Sequence, residues 1–188
     1  MTIFVHSYNP LWKEEFNRIC LLLKFHLTHF LTDIQHVGST AVPGLPAKPI
    51  LDIDIIITDK SLLAGIAAKL EKLGYINRGD QGIPGRFAFR QQSLSTPETP
   101  DRQTWMEHHL YVCYSYSLAL KNHLLVRDAL LKDAQLMAQY AGIKMGIANT
   151  PGMTREEYTR QKTAFILTIL KDLGLSADEL RQISDSNK

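Results

Sequence analysis

His36 to Ile57 reads HVGSTAVPGLPAKPILDIDIII. A Gly-Ser-Thr turn (Gly38, Ser39, Thr40) leads into a loop with Pro43, Pro46 and Pro49, then into an apolar, β-branched run broken by Asp52 and Asp54. The prolines, with Gly44, keep the loop out of regular helix or sheet interior. Ile50 to Thr58 predicts a strand, and its near-continuous apolarity predicts a central one covered on both faces. Alternate residues of a strand share a face, so Asp52 and Asp54 point together while Leu51, Ile53 and Ile55 point the other way. Two carboxylates held side by side repel each other, burial makes this costly, and a cation offsets it. Hard oxygen ligands suit Mg2+, which is often held by one or two carboxylates plus substrate phosphates. The turn before the loop offers backbone N–H groups and hydroxyls to a phosphate, and glycine at 38 lets the backbone come close. The stretch therefore predicts a site for phosphate and metal, with Asp52 and Asp54 as metal ligands. The plainer reading leaves both acids at a solvent edge or paired with Lys48 or an arginine, and makes Gly-Ser-Thr an ordinary turn.

Upstream, Asn9-Pro10 marks a helix start. Trp12, Phe16, Ile19, Cys20, Leu23, Leu27 and Phe30 follow in steps of three and four, the core-facing stripe of one long amphipathic helix. Ile3 to Ser7 reads as an edge strand or lead-in, and Asp33 to Val37 as the strand entering the Gly-Ser-Thr turn. Downstream, Ser61 to Leu73 is a helix closed by Lys69, Lys72 and Gly74. Strands are expected from Tyr75, at Arg86 to Gln92, and at Glu107 to Tyr114. From Leu118 the chain reads helical. One helix runs to about Asp133, a second covers Ala134 to Lys144, and Ile147 to Gly152 forms a break. Two further helices open on the capping boxes Thr154/Glu157 and Ser176/Glu179. The fold class is α+β: a mixed sheet flanked by helices, with a helical C-terminal third, in a single domain over 1–188.

The 188 residues suffice for one domain with a real core. A formal net charge of +2, with acids and bases mixed along the chain, gives no electrostatic case for nucleic acid or an anionic membrane. Nor is there a basic stripe interleaved with aromatics. Cys20 and Cys113 sit in unrelated contexts and read as two buried thiols. No apolar run approaches the length of a membrane span and no signal peptide is evident, so the expectation is a soluble cytoplasmic protein.

Gly-Ser, a loop, then Asp-x-Asp on the next strand resembles the signature of the nucleotidyltransferase fold of the polymerase β type. More closely, HVGSTAVPGLPAKPILDIDI is similar to the GrpB family, as are YNPLWKEEFNRI, RFAFR, HHLYV, HLLVRDAL and YTRQKTAFI. The resemblance covers nearly the whole chain. It implies a nucleotidyltransferase-like sheet flanked by helices, with Gly38 and Ser39 as the phosphate-side turn and Asp52 and Asp54 as the metal pair. Some relatives are named with dephospho-CoA kinase, but this chain has no GxxxxGK[ST] phosphate loop. Active transferases of the fold usually draw a third carboxylate from a later strand. Here the matching strand begins at Glu107. If Leu110 and Val112 face the core, then Glu107, His109 and Tyr111 face the site. Glu107 could supply the carboxylate, and His109 could act as general base or metal ligand. The departure weighs against polymerase-like two-metal catalysis.

Other residues have two readings each. Arg86 and Arg90 clamp phosphates from one strand face, or pair with the aspartates, or lie in solvent. Lys48 approaches an anion, or is solvated. By resemblance Arg127, and Lys162 with Tyr158, line the cleft; by default they are an ion pair with Asp128 and a core-edge pair. His36 faces the pocket or is a hydrogen-bonded structural histidine. His108 and His109 cannot share one ion, because neighbours on a strand point opposite ways. The leading expectation is a Mg2+-dependent nucleotidyltransferase-like protein. Asp52, Asp54, Glu107 and His109 form its catalytic set, and Gly38, Ser39, Thr40, Lys48, Arg86, Arg90, Arg127 and Lys162 contact the phosphates of a nucleoside triphosphate or other phosphorylated small molecule. The alternative is a non-catalytic nucleotide- or anion-binding module that keeps the fold.

Overall fold

The computed structural model describes residues 5–30 and 32–186. The part of the expected lead-in at Ile3 lies outside them, and His6 pairs with Ala47 in an isolated bridge. Helix α1 (Leu11–His26) starts where Asn9 Oδ1 accepts the Leu11 N–H at 3.0 Å. Trp12, Ile19, Cys20, Leu23 and Leu27 are buried from its stripe.

The sheet contains β1 (Asp33–Val37), β2 (Leu51–Ile57), β3 (Ile76–Asn77), β4 (Arg86–Arg90) and β5 (His108–Tyr114), in the order β1-β2-β5-β4-β3. β2 lies between an antiparallel β1 and a parallel β5, so it is central, as its apolarity implies. The strand expected from Tyr75 is confined to two residues of β3.

One face of the sheet is dry. Leu51, Ile53, Ile55 and Ile57 of β2 are fully buried there. They cluster with Leu110, Val112 and Phe89, with Ile19 and Leu23 of α1, and with Ile66 and Leu70 of α2 (Leu62–Lys72). At about 25 cal/mol per Å2 of apolar surface removed from water, this packing is the main stabilising term.

The C-terminal helices are α3 (Leu118–Lys132), α4 (Ala134–Ala148), α5 (Arg155–Asp172) and α6 (Ala177–Ser186). They pack on one another through Leu130, Tyr140 and Ile169 with Val42 and Leu45, and through Leu170, Leu175 and Ile183. α3 also reaches β1 and β5, bringing the bundle over the second face of the sheet. Ser117 and Asp133 cap α3 and α4 through their side chains. α4 continues to Ala148, past the break expected from Ile147, because no proline interrupts it before Pro151. The Ser176/Glu179 capping box is reciprocal. At Thr154 the hydroxyl accepts the Glu157 N–H, but the Glu157 carboxylate is engaged by Arg160 and Gln161.

Candidate functional site

The two aspartates of β2 point away from the dry face, toward the bundle. Register sets their neighbours: Asp52 lies between Val37 and His109, and Asp54 between Gln35 and Tyr111. Asp52 Oδ1 is 3.0 Å from His109 Nδ1. Burial works to raise the Asp52 carboxyl, but the hydrogen bond and charge of His109, with His123 and Lys162, hold it below the ordinary value. Asp54 is fully buried. Its Oδ2 accepts from His123 Nδ1 at 2.7 Å, whereas Oδ1 has no hydrogen-bond partner among the described residues. Burial opposes the charged form of His123, yet the Asp54 charge and hydrogen bond prevail and raise its pKa.

The turn after β1 is built against Asp52. Gly38 has φ 70° and ψ −168°, a region essentially reserved for glycine. A Cβ there would lie 2.2 Å from Asp52 Oδ2. Ser39 meets the phenol of the buried Tyr140. Gly38, Ser39, Asp52, Arg86, Tyr111, His123, Arg127, Tyr140 and Lys162 together line a cavity of about 260 Å3. The α3 residues His123, Val126, Arg127 and Leu130 fall at helical spacing and all face this cavity.

Arg86, Arg127 and Lys162 line it, and the charge of Lys48 acts on Lys162. Arg127 donates through Nη1 to Gln35 Oε1 at 2.7 Å and to the His36 carbonyl at 3.0 Å, and it pairs with Asp128. It both lines the cavity and straps α3 to β1. Arg86 stacks its guanidinium 4.5 Å from the centre of the Tyr111 ring, and its Nε is buried without a partner among the described residues. Burial, helped by Lys48, lowers the pKa of Lys162, with Asp52 opposing. Lys48 lies 5.3 Å from the Tyr158 ring centre.

Of the expected contributors, Thr40, Lys48, Asp54, Arg90, Glu107 and His109 are not in the lining of this cavity, although Asp54 and His109 adjoin it through His123 and Asp52. Thr40 is buried, with its hydroxyl 3.0 Å from His36 Nε2, because the short 3-10 turn at Ser39–Ala41 rotates it toward the helix side. His36 is itself stacked on Phe16, and burial takes its pKa down to about 4; it is a structural histidine. Arg90, at the outer end of β4, is exposed beside the register position of His109. Glu107 is exposed and precedes β5, and among the described residues Asp52 is the one carboxylate in the cavity lining, with Asp54 buried beside it. His108 points to the dry face, as parity requires, and bonds Tyr75 Oη at 2.6 Å.

Two residues near the aspartates escaped the sequence reading. His123 was detectable as the residue one helical turn before Arg127. Lys144 had no signal of its own. It is buried in α4 and donates to the Pro46 carbonyl, and burial together with Lys162 brings its pKa down to about 7 against the pull of Asp52.

No group of three or more His, Cys, Asp or Glu side chains among the described residues forms a metal cage. The donors that do converge are two carboxylates on one strand face, one of them with a buried unpartnered oxygen. That set fits a single hard cation completed by substrate oxygens. It does not fit a pair of ions bridged by three carboxylates.

The GrpB protein family model matches residues 2–172. The chain belongs to the GrpB family. UPF0157 protein YqkA of Bacillus subtilis is 28% identical over 161 residues, which are 86% of this chain and 44% of that relative. The chain thus spans less than half the length of YqkA. The crystal structure of conserved protein GrpB from Enterococcus faecalis superposes with a TM-score of 0.73 at 27% identity, over 95% of this chain and 98% of that one. The fold extends further, to the Cid1 poly(U) polymerase. Its complex with the short product ApU gives a TM-score of 0.58 at 12% identity, over 87% of this chain and 49% of Cid1. The GrpB chain therefore has the nucleotidyltransferase fold. No helix among the described residues is long and apolar enough to cross a membrane.

Proposed function

We propose that this GrpB-family chain transfers a nucleotidyl group from a nucleoside triphosphate to a second molecule, with one divalent cation, Mg2+ by donor chemistry, held by Asp52 and Asp54. The observation that carries this reading is the buried, unpartnered Asp54 Oδ1 beside Asp52, under a cavity lined with cations. A buried carboxylate oxygen without a donor is costly unless a cation uses it. When bound, the cation neutralises charge on the phosphates.

The protein's own groups do the positioning. The backbone at Gly38 and Ser39 lies within reach of the phosphates, and Lys162, Lys48 and Arg127 offset their charge. Fixed charges of this kind stabilise phosphoryl-type transition states without covalent chemistry by the protein. The acceptor oxygen bonds to the α-phosphorus, the bond from that phosphorus to the bridging oxygen breaks, and pyrophosphate leaves; the acceptor's proton passes to water.

Calorimetric titration with ATP, GTP, CTP and UTP in the presence of Mg2+ tests it. At least one nucleotide should bind the native chain and lose at least tenfold in affinity to Asp52→Asn or Asp54→Asn. Failure of all four to bind would sink the reading. A second reading, binding without turnover, is favoured by one observation: the residue in register with Asp52 on β5 is His109, not a carboxylate. Tight nucleotide binding with no pyrophosphate release, unchanged in His109→Ala, would select it.

A further inference from the structure

A second and larger cavity, about 680 Å3, opens beside the first. The two share Arg86, Asn122 and His123 as a common wall, so a molecule seated in the second cavity borders the aspartate site. Lys162 lines the first cavity and not the second, and it is coupled in charge to Lys48, Lys144 and Asp52. The site thus has a phosphate side and another side with a different lining.

That lining carries a pair of tyrosines. Tyr114 and Tyr116 stack with ring centres 5.5 Å apart and planes 17° from parallel. Lys60 places its Nζ 5.6 Å and 5.5 Å from the two ring centres. Tyr116 is 62% exposed, which is a large aromatic face to leave to water. The charges of the lining are Lys60 and Arg86 against Asp185, with His123 tied to Asp54. The buried Arg86 Nε adds a donor that no described residue uses, on the wall common to both cavities.

We propose that the second cavity seats the acceptor, and that the acceptor is a small aromatic or heteroaromatic molecule bearing an anionic group. Its ring lies on Tyr116, and its anion meets Arg86 at the shared wall. The reactive oxygen then approaches the aspartate site past the shared wall, from the cavity that Lys162 does not line, for an in-line displacement. An excess of positive charge in the lining disfavours a polycationic acceptor. The assignment of this ligand as the acceptor rests on the transfer reading above, whereas the ligand site itself does not.

Phenyl phosphate, without nucleotide or metal, is the probe, followed by amide chemical shifts of the full isotope-labelled chain. Shifts are expected in 82–86 and 114–122, with a roughly millimolar Kd appropriate to so small a ligand. Tyr116→Ala, at an exposed position, should weaken binding about tenfold, the scale of one lost ring stack. Cyclohexyl phosphate should bind about tenfold more weakly than phenyl phosphate for the same reason. Ala119→Trp should block the cavity, and Asp52→Asn should leave binding unchanged. No binding by the native chain, equal binding by Tyr116→Ala, equal affinity for the two phosphates, or shifts confined to 38–39 and 162 would each overturn the proposal. If the nucleotide titrations fail while phenyl phosphate behaves as expected, the transfer reading falls and the ligand site stands. The reverse outcome removes only the inference.

Discussion

Four histidines show how differently the two faces of one sheet treat the same side chain. On the dry face, His36 stacks on Phe16 and His108 bonds Tyr75, and burial takes both down to about 4. On the cleft face, His109 and His123 each hold a carboxylate of β2, and Asp54 raises the pKa of His123. Burial opposes the imidazolium of His36, His108 and His123 alike; the difference is whether a carboxylate is hydrogen-bonded to the ring. Apolar packing on one face supplies the stability that allows like charges to be held together on the other.

The contrast can be broken most severely from the dry side. Ile53→Ala, at a fully buried position, should cost about 2–5 kcal/mol, read as a fall in the denaturant midpoint. Gly38→Ala comes next. Its positive φ and the close Asp52 carboxylate predict a loss of roughly 1–3 kcal/mol, with nucleotide affinity falling too.

The neutral histidines give a pH signature. His108 takes up a proton near pH 6.5 when unfolded but only near 4 when folded. Its contribution is therefore complete above pH 6.5 and is lost as pH falls toward 4. His108→Gln should flatten the acid limb of the stability profile measured by urea unfolding. Lys144 acts at the other end. Its folded value of about 7 lies below the ordinary 10.5, so the unfolded chain binds more protons between them, and stability should climb across that window. Lys144→Met should remove the climb.

The smallest stability effect belongs to the cleft. Asp52→Asn relieves repulsion with Asp54 while weakening the His109 contact. It should change stability by less than about 1 kcal/mol yet abolish Mg2+-dependent nucleotide binding. A large loss of stability in Asp52→Asn would show that the two faces are not separable in this way.

What was legible in the sequence follows the same division. Strand parity alone placed Asp52, Asp54, His109 and Tyr111 on one face and His108 on the other, because a period of two is rigid and local. It failed at Glu107, which parity includes but which lies one residue before β5 begins, out in solvent. Thr40 failed because a single 3-10 turn rotates its hydroxyl out of the expected direction. His123 could be read from its place one helical turn before Arg127, whereas the membership of Lys144 depends on how α4 docks on the rest of the fold. That docking is set by one cluster that joins Leu130 and Tyr140 to Val42 and Leu45, far apart in sequence, and no local pattern announces it.

The closeness of Gly38 to Asp52 has a consequence for the history of the fold. The turn and the strand touch so tightly that the two positions cannot drift independently: a side chain at 38 would displace the carboxylate at 52. A lineage that gave up the aspartate would relax one of the two constraints on the glycine and leave only its backbone angle to preserve it.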